Sequence, residues 1–285
     1  MSERRGIVTV VGAGTMGHGI AQVAALAGYQ VHLNDLDSEQ VVAGRGAIES
    51  NLSGGVDRGK VSPEERDGAL SRIRGVLDLE EAVDSADLVV EAIVENLEIK
   101  RGLFAKIEAL APESSVLASN TSSLPIGKIA TALRHPERMI GMHFFNPVHI
   151  MALVEVVVHP GTSEAVRDRV LEVVRRMGKE PIVVQDSPGF ASSRLGVVLG
   201  LEAMRMLEQG VASAEDIDKA MVLGYRHPVG PLKLTDLVGL DVRLAVAETL
   251  HREIGGATYE PPEILRNKVA SGHLGKKAGQ GFYTW

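Results

Sequence analysis

Short apolar, β-branched runs alternate with longer stretches of helical periodicity through the first two-thirds of the chain. The runs predict six strands: Ile7–Val11, Gln30–Asn34, Asp87–Ile93, Ser115–Ser119, Met139–His143 and Leu153–Val158. The stretches between them include three predicted helices: Met16–Ala27, Glu98–Leu110 and Ser163–Met177. Strands separated by helices indicate βαβ units, so we expect a mostly parallel, doubly wound sheet.

The strand pattern stops at Ser187-Pro188-Gly189, and only helical periodicity follows. The predicted helices are Phe190–Glu208, Ala214–Leu223, Asp241–Ile254 and Glu263–Ala270. In the first of them Leu195, Val198, Leu199 and Met206 lie at near-helical spacing, which favours a core face. We therefore expect an α/β domain over residues 1–186 and a smaller all-α domain over residues 187–285.

A glycine-rich turn joins the first strand to the first helix. Gly12-Ala13-Gly14-Thr15-Met16-Gly17 fits the pattern G-x-G-x-x-G, and Asp35 follows the last glycine by 35 − 17 = 18 residues at the end of the second strand. Strand, helix and acidic residue are the context of a Rossmann-type dinucleotide site, with the pyrophosphate on the helix N-terminus. A carboxylate at Asp35 favours NAD over NADP, because it would repel a 2′-phosphate. The alternative is a tight turn in a nucleotide-free protein.

Composition narrows the class of function. The 285 residues include no cysteine, which excludes disulfides, thiolate metal sites and a cysteine nucleophile. A net charge of −7 argues against nucleic-acid and anionic-membrane partners. Met1–Gly6 and the short apolar run after it do not resemble a signal peptide, and no apolar run is long enough to span a membrane, so we expect a cytoplasmic protein. The nine histidines show no zinc-type spacing, and we expect no metal.

Polar side chains follow the predicted strands where ligands bind in a parallel sheet, at the carboxyl ends. They are Glu95 and Asn96 after the third strand, Asn120, Thr121, Ser122 and Ser123 after the fourth, and His143 at the end of the fifth. Asn120 and the serines could equally cap a helix that starts near Pro125.

A second acidic residue, Glu155, lies inside an apolar run twelve residues after His143. A buried carboxylate is costly unless it is paired, and a turn at Asn146-Pro147 would bring the two residues together. A histidine held by a carboxylate is an oriented general base. A buried structural ion pair is the alternative.

These motifs together resemble the 3-hydroxyacyl-CoA dehydrogenase family, and most nearly its single-function bacterial 3-hydroxybutyryl-CoA type. The resemblance runs from the glycine turn to the C-terminus, through Val90–Asn96, Ala118–Leu124, Gly141–Val148, Leu153–Val156, His227–Pro231, Asp236–Asp241 and Gly279–Tyr283. It implies NAD-dependent oxidation of a (S)-3-hydroxyacyl-CoA to the 3-ketoacyl-CoA, and the reverse, in fatty acid or short-chain acyl-CoA metabolism. It also implies a homodimer formed through the helical domain.

The resemblance implies a role for individual residues. His143 would be the general base, Glu155 would orient it, and Ser122 would contact the substrate hydroxyl. The residues implied around the dinucleotide are Glu95, Lys100, Asn120, Asn146 and Lys277. The substrate contacts implied besides Ser122 are Lys100, Ser193 and Arg58.

Two regions of the sequence depart from the family pattern. Ser193 stands where the family commonly has asparagine, and Gly54, Gly55 and Asp57 stand where it carries lysines for the CoA phosphates. We expect the paired glycines to fray this segment and leave Arg58 and Lys100 to bind CoA. Two alternatives stay open: a dehydrogenase of a β-hydroxy or sugar acid that is not carried by CoA, and a non-catalytic NAD-binding protein.

Overall fold

The computed structural model describes residues 6–285. Residues 1–5, which belong to the N-terminal segment and to the predicted first domain, lie outside the described residues. The chain divides into two compact units, one ending at Asp186 and the other spanning Ser187–Trp285. None of the helices in the described part of the chain combines the length and apolar character needed to cross a membrane.

The described residues of the first unit form an eight-stranded sheet. Its strands are β1 (Ile7–Val11), β2 (Gln30–Asn34), β3 (Ile73–Val76), β4 (Leu88–Glu91), β5 (Val116–Ser119), β6 (Met139–Phe144), β7 (Leu153–Val158) and β8 (Glu180–Gln185). The spatial order is β3-β2-β1-β4-β5-β6-β7-β8. Neighbouring strands are parallel except β6 and β7, which are antiparallel. The predicted doubly wound, mostly parallel sheet is confirmed.

Helices connect and flank these strands. They are α1 (Gly17–Leu26), α2 (Ser38–Asp57), α3 (Pro63–Ser71), α4 (Leu79–Val83), α5 (Leu97–Leu110), α6 (Ile126–Ala130) and α7 (Glu164–Arg176). Buried side chains of α1, α2 and α7 share one hydrophobic cluster with the central strands. Because β1, β4, β5 and β6 are parallel, their carboxyl ends lie at the same edge of the sheet.

The sequence pattern predicts neither edge strand, β3 nor β8. β3 has four residues and contains Gly75, while β8 starts with Glu180-Pro181 and is mostly exposed. Short, exposed strands lack the continuous apolar run of a buried parallel strand. Proline is also confined largely to sheet edges, because it cannot donate a ladder hydrogen bond.

The predicted fraying at Gly54 and Gly55 is wrong, because α2 continues through both to Asp57. Gly55 is buried, and a Cβ there would lie 3.1 Å from Val61 Cγ2. A Cβ at Gly54 would lie 3.1 Å from Nη1 of Arg58. The missing side chains let Val61 and Arg58 lie against the helix, so packing outweighs the low helix propensity of glycine.

The second unit is helical, as predicted. Its helices are α8 (Ser192–Glu208), α9 (Ala214–Lys219), α10 (Pro231–Val238), α11 (Leu240–Ile254) and α12 (Glu263–Ala270), with a short π-helical turn at Ala220–Gly224 and a 3₁₀ turn at Lys276–Ala278.

The core face of α8 includes part of the predicted one, because Val198 and Met206 pack against the buried cluster of this unit. Val197, Leu201 and Met204 are buried, whereas Leu195 is 72% exposed. Of the other predicted core residues, Val198, Leu199 and Met206 are half-buried. All these sets have near-helical spacing, so periodicity alone did not select the face that packs.

Candidate active site

The glycine turn has the shape of a phosphate cradle. Gly12 has φ +104°, and a Cβ there would lie 2.6 Å from the carbonyl oxygen of Ala92. A Cβ at Gly17 would overlap the carbonyl group of Gly12. At Gly14, by contrast, a Cβ would meet no atom within 4 Å and would fill the space above the turn. The first and third glycines are needed by the fold, and the second leaves the backbone open to a ligand.

The start of α1 suits an anion. Within residues 6–285, no side-chain cap is found at this N-terminus and no acidic residue lies in its first turn, so the positive end of the helix dipole is left for a ligand. Thr15 is exposed and Met16 half-buried where the turn enters the helix. Asp35 lies beside the turn, because its Oδ2 accepts a 2.8 Å hydrogen bond from the backbone N–H of Ala13. These residues fit the pyrophosphate and ribose of a dinucleotide.

His143 and Glu155 form a buried pair. They face each other in the antiparallel register of β6 and β7, and Nδ1 of His143 lies 2.7 Å from Oε2 of Glu155. Glu155 is fully buried and His143 is 7% exposed, with the Phe145 ring 4.5 Å from the imidazole. Carboxylate and sheet therefore fix both the position and the tilt of the imidazole.

Asn120 and the serines do not cap α6. The carboxylate of Asp186 does so instead, accepting hydrogen bonds from the N–H groups of Ile126 (3.1 Å) and Gly127 (2.7 Å). Oδ1 of Asn120 accepts a 2.9 Å bond from the N–H of Phe144 and so ties the end of β5 to the end of β6. The capping alternative is wrong for these residues, and their side chains serve the sheet edge.

Glu95 gathers the residues that follow β5. Its Oε1 accepts hydrogen bonds from Oγ1 of Thr121, N of Ser122 (3.2 Å) and Oγ of Ser123 (3.0 Å). Ser122 is exposed, and no hydrogen bond of its hydroxyl is found within residues 6–285. Burial raises the pKa of Glu95, but the Thr121 hydroxyl and the Lys100 ammonium outweigh it and hold that pKa below its ordinary value.

Lys100 does not reach the surface. Its side chain is 1% exposed, and its ammonium group forms ion pairs with Glu91 and with Oε2 of Glu95 (3.2 Å). The direct substrate contact predicted for Lys100 is therefore corrected. Its ammonium group, which was expected to bind CoA, is buried and paired with two carboxylates.

Four further predicted residues lie in other segments of the chain. Asn146 is exposed in the turn between β6 and β7, and Arg58 is exposed at the end of α2. Ser193 lies in the first turn of α8, and Nζ of Lys277 pairs with Asp241 at 2.6 Å, both within the second unit. Their contacts with cofactor or substrate stay predictions.

Two buried residues were missed by sequence reasoning. Glu91 is fully buried at the end of β4, and the signal that picked out Glu155, a carboxylate in an apolar run, applies equally to it. Lys179 donates from Nζ to the carbonyl oxygens of Val148 and, at 2.8 Å, Met151, and thereby fixes the β6–β7 turn. Nothing local in the sequence marks Lys179, because its partners are backbone atoms about thirty residues away. Within residues 6–285, no group of three or more His, Asp or Glu side chains is arranged to hold a metal ion.

Comparison with known proteins agrees with this geometry. Residues 7–187 match the model of the 3-hydroxyacyl-CoA dehydrogenase NAD binding domain, and residues 189–285 match that of the family's C-terminal domain. The chain is 44% identical over 278 residues to a probable 3-hydroxybutyryl-CoA dehydrogenase of Bacillus subtilis, covering 98% of this chain and 96% of the relative. It is also 44% identical to a 3-hydroxybutyryl-CoA dehydrogenase of Mycobacterium tuberculosis over the full length of both.

A solved structure is similar throughout. The (S)-3-hydroxybutyryl-CoA dehydrogenase PaaH1 from Ralstonia eutropha superposes with a TM-score of 0.94 at 40% identity, covering 98% of each chain. The two family models together span nearly all of the described chain, including the glycine turn and the His143–Glu155 pair. The chain therefore belongs to the 3-hydroxyacyl-CoA dehydrogenase family, whose N-terminal domain binds NAD.

Proposed function

We propose that the protein is an NAD-dependent dehydrogenase that oxidises (S)-3-hydroxybutyryl-CoA to acetoacetyl-CoA and catalyses the reverse reduction. The observation that carries the proposal is the His143–Glu155 pair, buried across β6 and β7 at the edge of the sheet where the glycine turn also lies. The names of the B. subtilis, M. tuberculosis and R. eutropha relatives support the four-carbon acyl group.

The glycine turn and the start of α1 would hold the dinucleotide, with Gly14, Thr15 and Met16 binding the pyrophosphate and Asp35 the ribose. When bound, NAD accepts the hydride that leaves C3 of the hydroxyacyl group. Of the other predicted contacts, Glu95, Asn120 and Asn146 lie at the same edge of the sheet, and Lys277 belongs to the second unit. Lys100 contributes through Glu95, since its own charge is buried.

His143 is the acid–base group. With Nδ1 bound to Glu155, its Nε2 removes the proton of the 3-hydroxyl as the C3–H bond breaks, and the imidazolium that forms is stabilised by the carboxylate. In the reverse direction the protonated imidazole returns the proton to the 3-keto oxygen. Such catalysis contributes about 10²–10⁴-fold to the rate. The Ser122 hydroxyl donates to the oxygen at C3, where charge develops.

Basic groups near the end of α2 suit the CoA phosphates. His149 is half-buried in the β6–β7 turn, and burial together with the nearby charges of Lys179, Arg58 and His18 lowers its pKa. A Cβ at Gly19 would lie 2.8 Å from Cβ of Val148, so α1 and the β6–β7 turn approach each other closely. Arg58 lies near this turn and is exposed at the end of α2, which supports it as a phosphate contact in a chain of net charge −7.

The test is substrate choice. NADH oxidation is measured with acetoacetyl-CoA, free acetoacetate and a series of 3-ketoacyl-CoAs from C4 to C16. We expect the highest kcat/KM for acetoacetyl-CoA and a preference for NADH over NADPH. Faster turnover of free keto acids would favour the non-CoA alternative, and NADH binding without turnover of any substrate would favour a non-catalytic role.

We further propose that the enzyme works as a cytoplasmic homodimer in fatty acid β-oxidation or short-chain acyl-CoA metabolism. Exposed apolar residues of the helical unit, among them Leu237 and Val238, support a dimer face, whereas Leu240 is fully buried and contributes to the core. Size-exclusion chromatography with light scattering tests the dimer, and a monomer mass would contradict it.

A further inference from the structure

The residues Thr121–Ser123, here called the Ser122 loop, are held by one carboxylate oxygen. Three successive residues donate to Oε1 of Glu95, two through hydroxyl groups and Ser122 through its backbone N–H. Oγ1 of Thr121 also accepts from the backbone N–H of Leu124 at 2.9 Å, which tightens the turn. Glu95 therefore sets the backbone of Ser122, whose side chain is exposed.

A closed ring of polar contacts lies behind this carboxylate. Oε2 of Glu95 pairs with Lys100, and Lys100 pairs with the fully buried Glu91. Oε2 of Glu91 accepts from Oγ of Ser119 at 2.6 Å, and that hydroxyl accepts from the backbone N–H of Thr121 at 3.2 Å. The ring joins the ends of β4 and β5 to the first turns of α5, so the loop cannot shift without breaking a buried contact.

The charges explain why the ring is built this way. Glu91 needs Lys100, because an unpaired buried carboxylate is costly. Lys100 in turn lies close enough to Glu95 to favour its charged form. An ionised carboxylate accepts several hydrogen bonds at one oxygen, which a neutral side chain does less well.

We propose that Glu95 is a positioning residue that holds the Ser122 hydroxyl against the reacting oxygen, and that Lys100 and Glu91 fix Glu95 from behind. The proposal rests on the role of Ser122 in the proposed function. It adds to the dinucleotide contact predicted for Glu95, because it assigns the Glu95 side chain an effect on kcat that acts through Ser122.

The test is Thr121→Val, which removes one donor to Glu95 and leaves the three buried charges in place. We expect kcat with acetoacetyl-CoA to fall about tenfold, the rate equivalent of one hydrogen bond, while the NADH dissociation constant from fluorescence titration stays within twofold. Thr121→Ser restores the hydroxyl and should recover kcat to within about threefold. Glu98→Gln is the control, since it removes an exposed charge from the first turn of α5, the helix that carries Lys100.

Epistasis separates this proposal from the proposed function. In a Ser122→Ala background, Thr121→Val should reduce kcat by less than about threefold, because the positioned group is already gone. An equal loss in both backgrounds, or a weaker NADH affinity with unchanged kcat, would overturn the positioning role. Normal turnover by Ser122→Ala would instead refute the role of Ser122 in the proposed function. Glu95→Gln, if it folds by circular dichroism, should lower kcat with the same dependence on Ser122, and unchanged kcat in that variant would also overturn the proposal.

Discussion

Both compact units bury acidic side chains, but they give them different partners. At the sheet edge, Glu155 pairs with His143 and Glu91 pairs with Lys100, so carboxylates meet ionisable side chains. In the helical unit, Asp236 accepts from the backbone N–H groups of Phe282 (2.8 Å) and Tyr283 (2.9 Å) and from Nε1 of Trp285 (2.9 Å).

Asp218 follows the second pattern. Its carboxylate accepts from the backbone N–H groups of Leu232 (2.8 Å) and Lys233 (2.9 Å) at the start of α10, and from the Tyr283 hydroxyl (2.7 Å). Burial and this carboxylate raise the pKa of Tyr283, so the phenol stays a donor. Burial of a charge alone thus does not mark an active site. A carboxylate that fixes backbone donors stabilises the fold, whereas one that holds a histidine beside an exposed edge can serve chemistry.

Of the three variants that test this comparison, Glu155→Gln should produce the largest effect, and it should act on catalysis. The amide can still contact Nδ1 of His143 but cannot stabilise an imidazolium, so we expect kcat to fall about 100-fold with NADH affinity retained. Glu137→Gln is the control, because Glu137 pairs with His135 at 3.2 Å on the surface. A loss of thermal stability with unchanged kcat would show that the His143–Glu155 pair serves the fold and not catalysis.

Asp236→Asn should show the opposite behaviour. The amide leaves a buried N–H donor without an acceptor, so we expect the free energy of unfolding to fall by about 2 kcal/mol, while kcat of the folded enzyme stays within twofold. Fluorescence during urea denaturation reports this directly, because Trp285 is the one tryptophan in the chain and donates to Asp236. The control is Glu202→Gln, which removes an exposed partner of Arg205. Equal stability of variant and wild type would contradict the comparison.

Arg58→Ala should have the smallest effect. An exposed charge that contacts a phosphate contributes modestly and is screened by salt, so we expect KM for acetoacetyl-CoA to rise about threefold at low salt, less at high salt, with kcat unchanged. Arg66→Ala gives the matched loss of charge at a residue paired with Asp67. If both variants raise KM equally, the effect is general and Arg58 is no phosphate contact.

The sequence predicted those parts of the molecule that depend on regular local patterns. The glycine turn could be predicted because its motif consists of consecutive residues. Glu155 could be predicted as a site residue because it is a charged residue within an apolar strand. The positions of His143 and Glu155 then follow from strand register, which the turn at Asn146-Pro147 allows.

Long-range packing decided what the sequence did not predict. In the sequence, Lys100 looks like an ordinary surface lysine. Its burial depends on Glu91, which lies nine residues earlier at the end of another element. The continuity of α2 through Gly54 depends on where the Arg58 side chain lies. The face of α8 that packs was set by the neighbouring helices, so Leu195 became exposed although its spacing fits a core.

The central claim is that His143 carries the proton transfer, and His143→Gln tests it most directly. Steady-state NADH oxidation with acetoacetyl-CoA should fall by about 10²–10⁴-fold in kcat, while fluorescence titration shows NADH bound as tightly as by the wild type. Near-normal turnover in this variant would contradict the assignment of His143 as the acid–base group.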